Sequence, residues 1–508
     1  MSRLFGSKSL EVLVMAGCLY FGQIWANNIE IANVSLTDQD VVAHSIMVKF
    51  DLSWDNSWKY TDTWDAAWVF VKFKKSGDLI WQHATLSTTG HVPPTGCSIE
   101  TPADSAAVYG RGVFIYKTDN GGGTNTWTGA NAIKIKWMYG TNGVPDVATL
   151  KVKVFGVEMV LIPAGSFYVG DYNGGSGPYN CLYKYGASPD ASYQITSEGA
   201  ITVGTAAGNL WYDNDGGNTG DRGTPIPAAY PKGYNAYYCM KYEISQAQYR
   251  DFLNCLTNAQ ATNRFPNLFN SWRHYIKVYN TIYGCDADND NTLDESADGE
   301  WIACNYISTN DVLAYLDWSA LRPITELEYE KACRGTVGAV ALEYAWGTAN
   351  ITDCGAYLFA ATERESTTVA PVANYGRCNC AASVSDNGPV RCGVFAISTS
   401  NRVSAGAGYT GVMELSGNIW ERVITVGNGE GRAFTGANGD GYLLDNGLHN
   451  VTGWPAVGTG TGIGVRGGAW NMTTTYGELT VAGRYYGVWT SADGRDASIG
   501  GRGVRLKP

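Results

Sequence analysis

The sequence predicts an α+β protein, sheet-rich at its start and loop-rich with a few helices further on. Three observations predict it. The 508-residue chain holds 63 Gly with 17 Trp, 32 Tyr and 14 Phe, a mix that suits tight turns and strands. Apolar and polar residues alternate with period two in several early runs, the mark of strands with one buried and one wet face. Two Ser/Thr-x-x-Glu/Gln signatures each lead an apolar pattern at helical spacing. The same composition excludes other classes. Only 16% of residues are charged, too few for a long coiled coil. Aromatics this dense bury enough surface to offset chain entropy, which excludes extensive disorder. The 36 basic and 47 acidic residues give a net charge of −11, the wrong sign for a nucleic-acid partner.

At the N-terminus, Arg3 and Lys8 precede apolar residues 12–17 and 19–21, and Ala26 closes the segment. This is the layout of a secretory signal over residues 1–26, cleaved after Ala26. The run is too short for a membrane span, and no other segment is long enough for a transmembrane one. Met15-Ala16-Gly17-Cys18 supports an alternative, a lipoprotein anchored at Cys18. Either reading expects a protein secreted from, or on the surface of, a bacterium. Cleavage leaves 11 cysteines, and export permits disulfides. The odd number implies an unpaired thiol or an intermolecular bridge. Cys378-Asn379-Cys380 lacks the spacing of structural zinc and reads as a disulfide or free thiols.

Residues 27–154 read as an all-β, sandwich-like domain. Val48, Phe50, Leu52 and Trp54 alternate with Lys49, Asp51 and Ser53; Ile133, Ile135 and Trp137 alternate with Lys134 and Lys136; Leu150, Val152 and Val154 alternate with Lys151 and Lys153. Residues 171–236, dominated by Asn, Gly and Tyr, read as long surface loops. Ser245-Gln246-Ala247-Gln248 predicts a capped helix continuing through Tyr249, Phe252, Leu253 and Leu256. Thr325-Glu326-Leu327-Glu328 predicts a second, and a third short helix is expected over 311–319. Beyond Gly335 the chain reads as short strands and turns.

From residue 155 the motifs resemble a known family. Glu158-Met159-Val160-Leu161-Ile162-Pro163-Ala164-Gly165 is similar to the opening strand of the formylglycine-generating enzyme (sulfatase-modifying factor) domain. Glu243-Ile244-Ser245 through Tyr249 resembles its "E-V-T-x-x-x-Y". Arg322-Pro323-Ile324-Thr325-Glu326-Leu327-Glu328-Tyr329-Glu330 resembles "R-L-P-T-E-A-E-W-E", and Trp346-Gly347 follows as the next landmark. Gly411-Val412-Met413-Glu414-Leu415-Ser416-Gly417-Asn418-Ile419-Trp420-Glu421 resembles "G-L-Y-D-M-x-G-N-V-W-E". Arg466-Gly467-Gly468-Ala469-Trp470, Arg484 and Gly503-Val504-Arg505 resemble the closing "R-G-G-S-W … R … G-F-R". The motifs occur in the family's order over residues 155–508, leaving the β region outside.

The resemblance implies a C-type-lectin-like fold. It does not fix a function, because the family includes copper-dependent oxidases that convert a sulfatase cysteine to formylglycine, ergothioneine-synthase-type iron enzymes and non-catalytic binders. The oxidases hold copper with two thiols between "R-G-G-S-W" and the next arginine. Here that stretch, residues 471–479, has Met472 and no Cys. The iron enzymes need three histidines on a helical domain, and this chain has five His in all. Neither copper nor iron is therefore expected, and no catalytic residues are assigned.

Two segments are expected to hold structural calcium, a hard cation that takes six to eight oxygens. The resemblance implies one at side chains of Glu414 and Glu421 with carbonyls of Gly417 and Ile419. The residue spacing suggests another, where Asp286, Asp288 and Asp290 take positions 1, 3 and 5 of an EF-like loop. Asn291 stands at the turn position, and Asp294, Asp298 or Glu300 substitute for the missing position-12 Glu. A solvated acidic loop is the alternative there. The ligand surface is expected at Trp470, Asn471, Tyr476, Arg484, Tyr485, Tyr486 and Trp489, since Trp and Tyr give large contact area at small entropy cost. The expected function is a secreted or surface binding or structural protein whose ligand is a protein or glycan. A family enzyme with an unrecognised metal-dependent site is the alternative, and a homo-oligomeric surface layer or filament is a third.

Overall fold

A computed structural model describes residues 28–103, 109–171, 180–187, 191–213, 218–381, 387–397, 399–473, 477–489 and 491–508. The expected signal segment with Cys18, and Tyr476, lie outside the described residues. Sheets outweigh helices, in keeping with the α+β expectation.

The strand Asp65–Lys75 organises the molecule. Nine of its eleven residues are buried, so it shows no alternation of wet and dry faces. Ala67, Val69, Val71 and Phe73 point into one core, shared with Ile46, Val48, Phe50, Leu52 and Trp54 of the strand Ser45–Lys59 and with Ile133, Ile135 and Trp137. These last two groups are the alternating runs read from the sequence. Ala66, Trp68 and Phe70 point the other way, into a second core with Tyr238, Phe252, Tyr315 and Trp318. A central strand buried on both faces reads as a continuous apolar run.

Two sheets meet at the first core. The six-stranded one runs Glu30–Asp40, Ser45–Lys59, Ile133–Trp137, Leu86–Ser87, Tyr109–Gly110, with Gly121–Trp127 beside Ser45–Lys59. The eight-stranded one runs Arg322–Pro323, Gly503–Leu506, Tyr237–Met240, Leu150–Ile162, Asp65–Lys75, Val113–Lys117, Cys97–Glu100, with Gln82–His83 beside Asp65–Lys75. Leu150–Ile162 passes unbroken through residue 155. Its residues 150–160 pair with Asp65–Lys75, and its residues 159–162 pair with Tyr237–Met240. The early β region and the later motifs thus share one sheet. Trp68 Nε1 also donates to Ser319 O at 2.9 Å, and Lys72 Nζ to Gly441 O at 2.8 Å.

The helices begin where the sequence places their caps. Ser245 and Gln248 form a reciprocal capping box before Gln246–Leu253, and Thr325 and Glu328 do so before Glu326–Arg334. The expected third helix is Thr309–Trp318, boxed by Ser308 and Asp311. A fourth, Asn258–Arg264, follows a box of Thr257 and Gln260 that the sequence reading passed over. The described residues within 171–236 are not simply surface loops. Leu182, Ile195, Ile201, Val203, Leu210, Tyr212, Ile226 and Tyr230 are buried in the second core, since apolar side chains among the Asn and Gly turn inward. No helix of the described residues is long and apolar enough to cross a membrane.

Candidate functional site

The glutamates of the helix Glu326–Arg334 each meet an arginine from elsewhere in the motifs. Glu326 pairs with Arg484 at 2.6 Å, Glu328 with Arg322 at 2.6 and 2.8 Å, and Glu330 with Arg466 and Arg334. Glu421 receives Arg502 on both oxygens, one at 2.7 Å. All of these side chains are at most 1% exposed. A buried charge must be paired, and removing one partner is strongly destabilising. The motif charges therefore fix loops to one another.

This placement puts two of the expected ligand residues, Arg484 and Trp470, inside the core. Arg484 is fully buried, tied to Glu326, with its guanidinium 4.4 Å from the Tyr212 ring centre. Trp470 is 4% exposed, and its Nε1 donates to Ala497 O at 3.1 Å. Neither is free to meet a ligand. Asn471 is exposed, while Tyr485, Tyr486 and Trp489 are half-buried and stand edge to face in sequence, with centroids 4.8 and 5.7 Å apart. Trp272, which the sequence reading did not single out, is 45% exposed and lies 5.0 Å from Trp470. Nothing in its spacing marks it; a loop with left-handed residues at Asn270, Trp272 and Arg273 brings it there.

The segment 414–421 is buried throughout. Glu414 and Asn418 take left-handed φ values of 53° and 66°. Gly417 is required, because a Cβ there would stand 2.1 Å from Cys378 Sγ. Ile419 N donates to Glu243 Oε1 at 3.2 Å, and Asn418 Nδ2 donates to Glu243 Oε2. Glu243 sits in a quoted motif, but the sequence reading gave it no role. Glu414 Oε1 accepts from Gly393 N at 2.9 Å. Its Oε2 is buried without a hydrogen-bond partner among the described residues. Glu414, Arg377, Asn379, Ser416 and Asn418 line a cavity of roughly 10 Å³, about one water's room.

Burial pushes the Glu414 carboxyl up to about 7, against the pull of Arg502 and the Gly393 N–H. Burial also raises Glu243 well above the carboxylate range, and neighbouring Glu414 and Glu421 add to it. Glu421 is raised by burial, opposed by Arg502. Three carboxyl groups thus crowd a buried site that Arg502 and Arg391 face and whose cavity Arg377 lines. The orphaned Glu414 oxygen fits a cation ligand. Each Glu421 oxygen accepts one hydrogen bond from Arg502.

At the second segment, carboxylate oxygens of Asp286, Asp288 and Asp290 lie within 4.8 Å of one another. Asn291 takes φ 73°, as the turn requires. Asp294 is turned away, held by Arg250 at 2.6 Å and by Cys285 N at 2.8 Å. The eleven described cysteines are all buried and unbonded.

A family model, the Sulfatase-modifying factor enzyme 1-like domain, matches residues 147–505. The chain belongs to this family. The match begins just ahead of the strand Leu150–Ile162, so the family domain includes the strand that carries the shared sheet. Comparison with curated proteins finds none that matches. The glutamates and arginines described above all lie within the matched residues.

Proposed function

We propose that the protein is a secreted or surface-exposed, non-catalytic binding or structural protein on the family scaffold, stabilised by calcium. The observation that carries this reading is the use of the motif charges: Glu326, Glu328, Glu330, Glu421 and their arginines are buried in pairs. With no Cys in residues 471–479, the family's copper thiols have no counterpart in sequence there. The ligand surface comprises Asn471, Tyr485, Tyr486 and Trp489, extended by Trp272, and would meet a protein or glycan. We assign calcium to the Glu414 cavity, where a buried carboxylate oxygen, without a hydrogen-bond partner among the described residues, suits a hard cation. The two facing early sheets are taken as a β-sandwich, and the later domain as C-type-lectin-like.

The direct test incubates the purified chain with a sulfatase-derived cysteine peptide, copper(I) and oxygen, and reads aldehyde by mass spectrometry. No turnover is expected. Turnover that disappears on copper removal would overturn the reading.

One observation favours the alternative, a metal-dependent oxidase of the family with a displaced site. Cys378 and Cys380 are buried in one cluster, and Met472 packs against it. Ala381 N donates to Met472 O at 2.7 Å, fastening the two segments together. Sulfur donors suit copper(I). Copper-dependent turnover lost in Cys378→Ser would select this reading.

A further inference from the structure

The acidic loop after the strand Ile282–Cys285 holds a positive charge of its own. Lys277 lies on the strand Ile276–Tyr279, paired opposite Gly284. Its side chain is 12% exposed and forms an ion pair with the fully buried carboxylate of Asp286. The same Nζ donates to Asn291 Oδ1 at 3.0 Å and to Asn289 Oδ1 at 3.2 Å. An ammonium has three donors and no acceptor. Three side-chain oxygens from positions 1, 4 and 6 of the EF-like loop therefore complete it. Asn289 and Asn291 reach inward from left-handed φ values of 62° and 73°, which Asn tolerates better than most residues.

The other acidic side chains are satisfied without metal. Asp286 also accepts from Asp290 N at 3.1 Å and Asn291 N at 2.9 Å. Asp288 accepts from Asp290 N at 3.1 Å, and Asp290 from Thr292 N at 2.6 Å. A calcium ion needs six to eight oxygens, and Asp286, the one buried carboxylate of the three clustered ones, is already on the ammonium. Two cations a few ångströms apart also repel strongly at a partly buried site.

We propose that Lys277 is the resident cation of this loop. Its ammonium takes the place a divalent metal would fill, so the loop is ordered without metal. Removing Lys277 leaves clustered carboxylates that accept a hard divalent cation. This inference is independent of the calcium assigned to Glu414.

The test uses the full chain, calcium chloride as the probe, calorimetry and thermal melting. In the wild type, Asp288→Asn is expected to leave the calcium isotherm unchanged. Lys277→Met in chelator is expected to melt several degrees lower, and calcium restores much of the loss. Its isotherm gains a binding event, at least on the order of tenfold tighter than any wild-type event at this loop, which Asp288→Asn removes. Loss of a binding event from the wild type on Asp288→Asn would overturn the proposal. So would a Lys277→Met chain that melts as the wild type and gains no calcium response. Should Lys277→Met fail to fold, Asp288→Asn in the wild type still decides. Loss of binding in Glu414→Gln reports on the other site alone.

Discussion

The acidic loop at residues 286–294 and the segment at 414–421 both gather carboxylates, under different conditions. In the first, Asp288 and Asp290 are exposed, and the buried Asp286 meets the Lys277 ammonium. In the second, Glu414, Glu421 and the facing Glu243 are all buried, and the arginine that pairs with Glu421 is Arg502. Water and an internal cation settle the first loop. The second keeps an unpartnered oxygen on Glu414, with carboxyls held above their ordinary range by burial. Similar acidic patterns in sequence thus lead to different surroundings, an exposed loop around the Lys277–Asp286 pair and a buried cluster facing Arg502 and Arg391, because burial and basic neighbours decide the charge balance.

The largest break in this contrast comes from Arg502→Met. It strands Glu421 beside Glu243 and Glu414, and should destabilise the chain by about 3–5 kcal/mol in urea melts at neutral pH. A loss no larger than that of a surface substitution would contradict the buried-pair account. Lys277→Met comes next, at about 1–3 kcal/mol in chelator, since it leaves the buried Asp286 without its counter-charge. Calcium should narrow that loss.

A smaller effect concerns pH. The folded Glu414 carboxyl titrates near 7, above its ordinary value of 4.5. The folded state then holds a proton that the unfolded chain releases, so calcium-free stability falls as pH rises from about 4.5 to about 7. Glu414→Gln should flatten part of that slope in melts taken across this range; an unchanged slope would remove Glu414 as its source. The smallest effect is Asp288→Asn, expected within about 0.5 kcal/mol of the wild type because its side chain is exposed.

Local signals were readable in the sequence. Ser245, Thr325 and the alternation through Val48, Phe50, Leu52 and Trp54 depend on residues a few positions apart, and the structure follows them. The family motifs were equally legible, and a family match over most of the chain bears them out. The strand Asp65–Lys75 escaped notice because burial on both faces removes alternation, with the basic Lys72 inside an apolar run. At the candidate sites, what was missed is long-range. Glu243 meets Asn418 across 175 positions, and Arg484 meets Glu326 across 158. Spacing shows neither contact. It equally hides that Lys277 reaches into the acidic loop from a neighbouring strand, or that Trp272 lies on Trp470.

The contrast between the two segments turns on whether the Glu414 oxygen takes a cation while the Lys277 loop does not. Calorimetric titration of the full chain with calcium, beside Glu414→Gln, tests this most directly. One saturable event in the wild type, absent from Glu414→Gln, is the predicted result. No event in the wild type, or an event that survives Glu414→Gln unchanged, would contradict it.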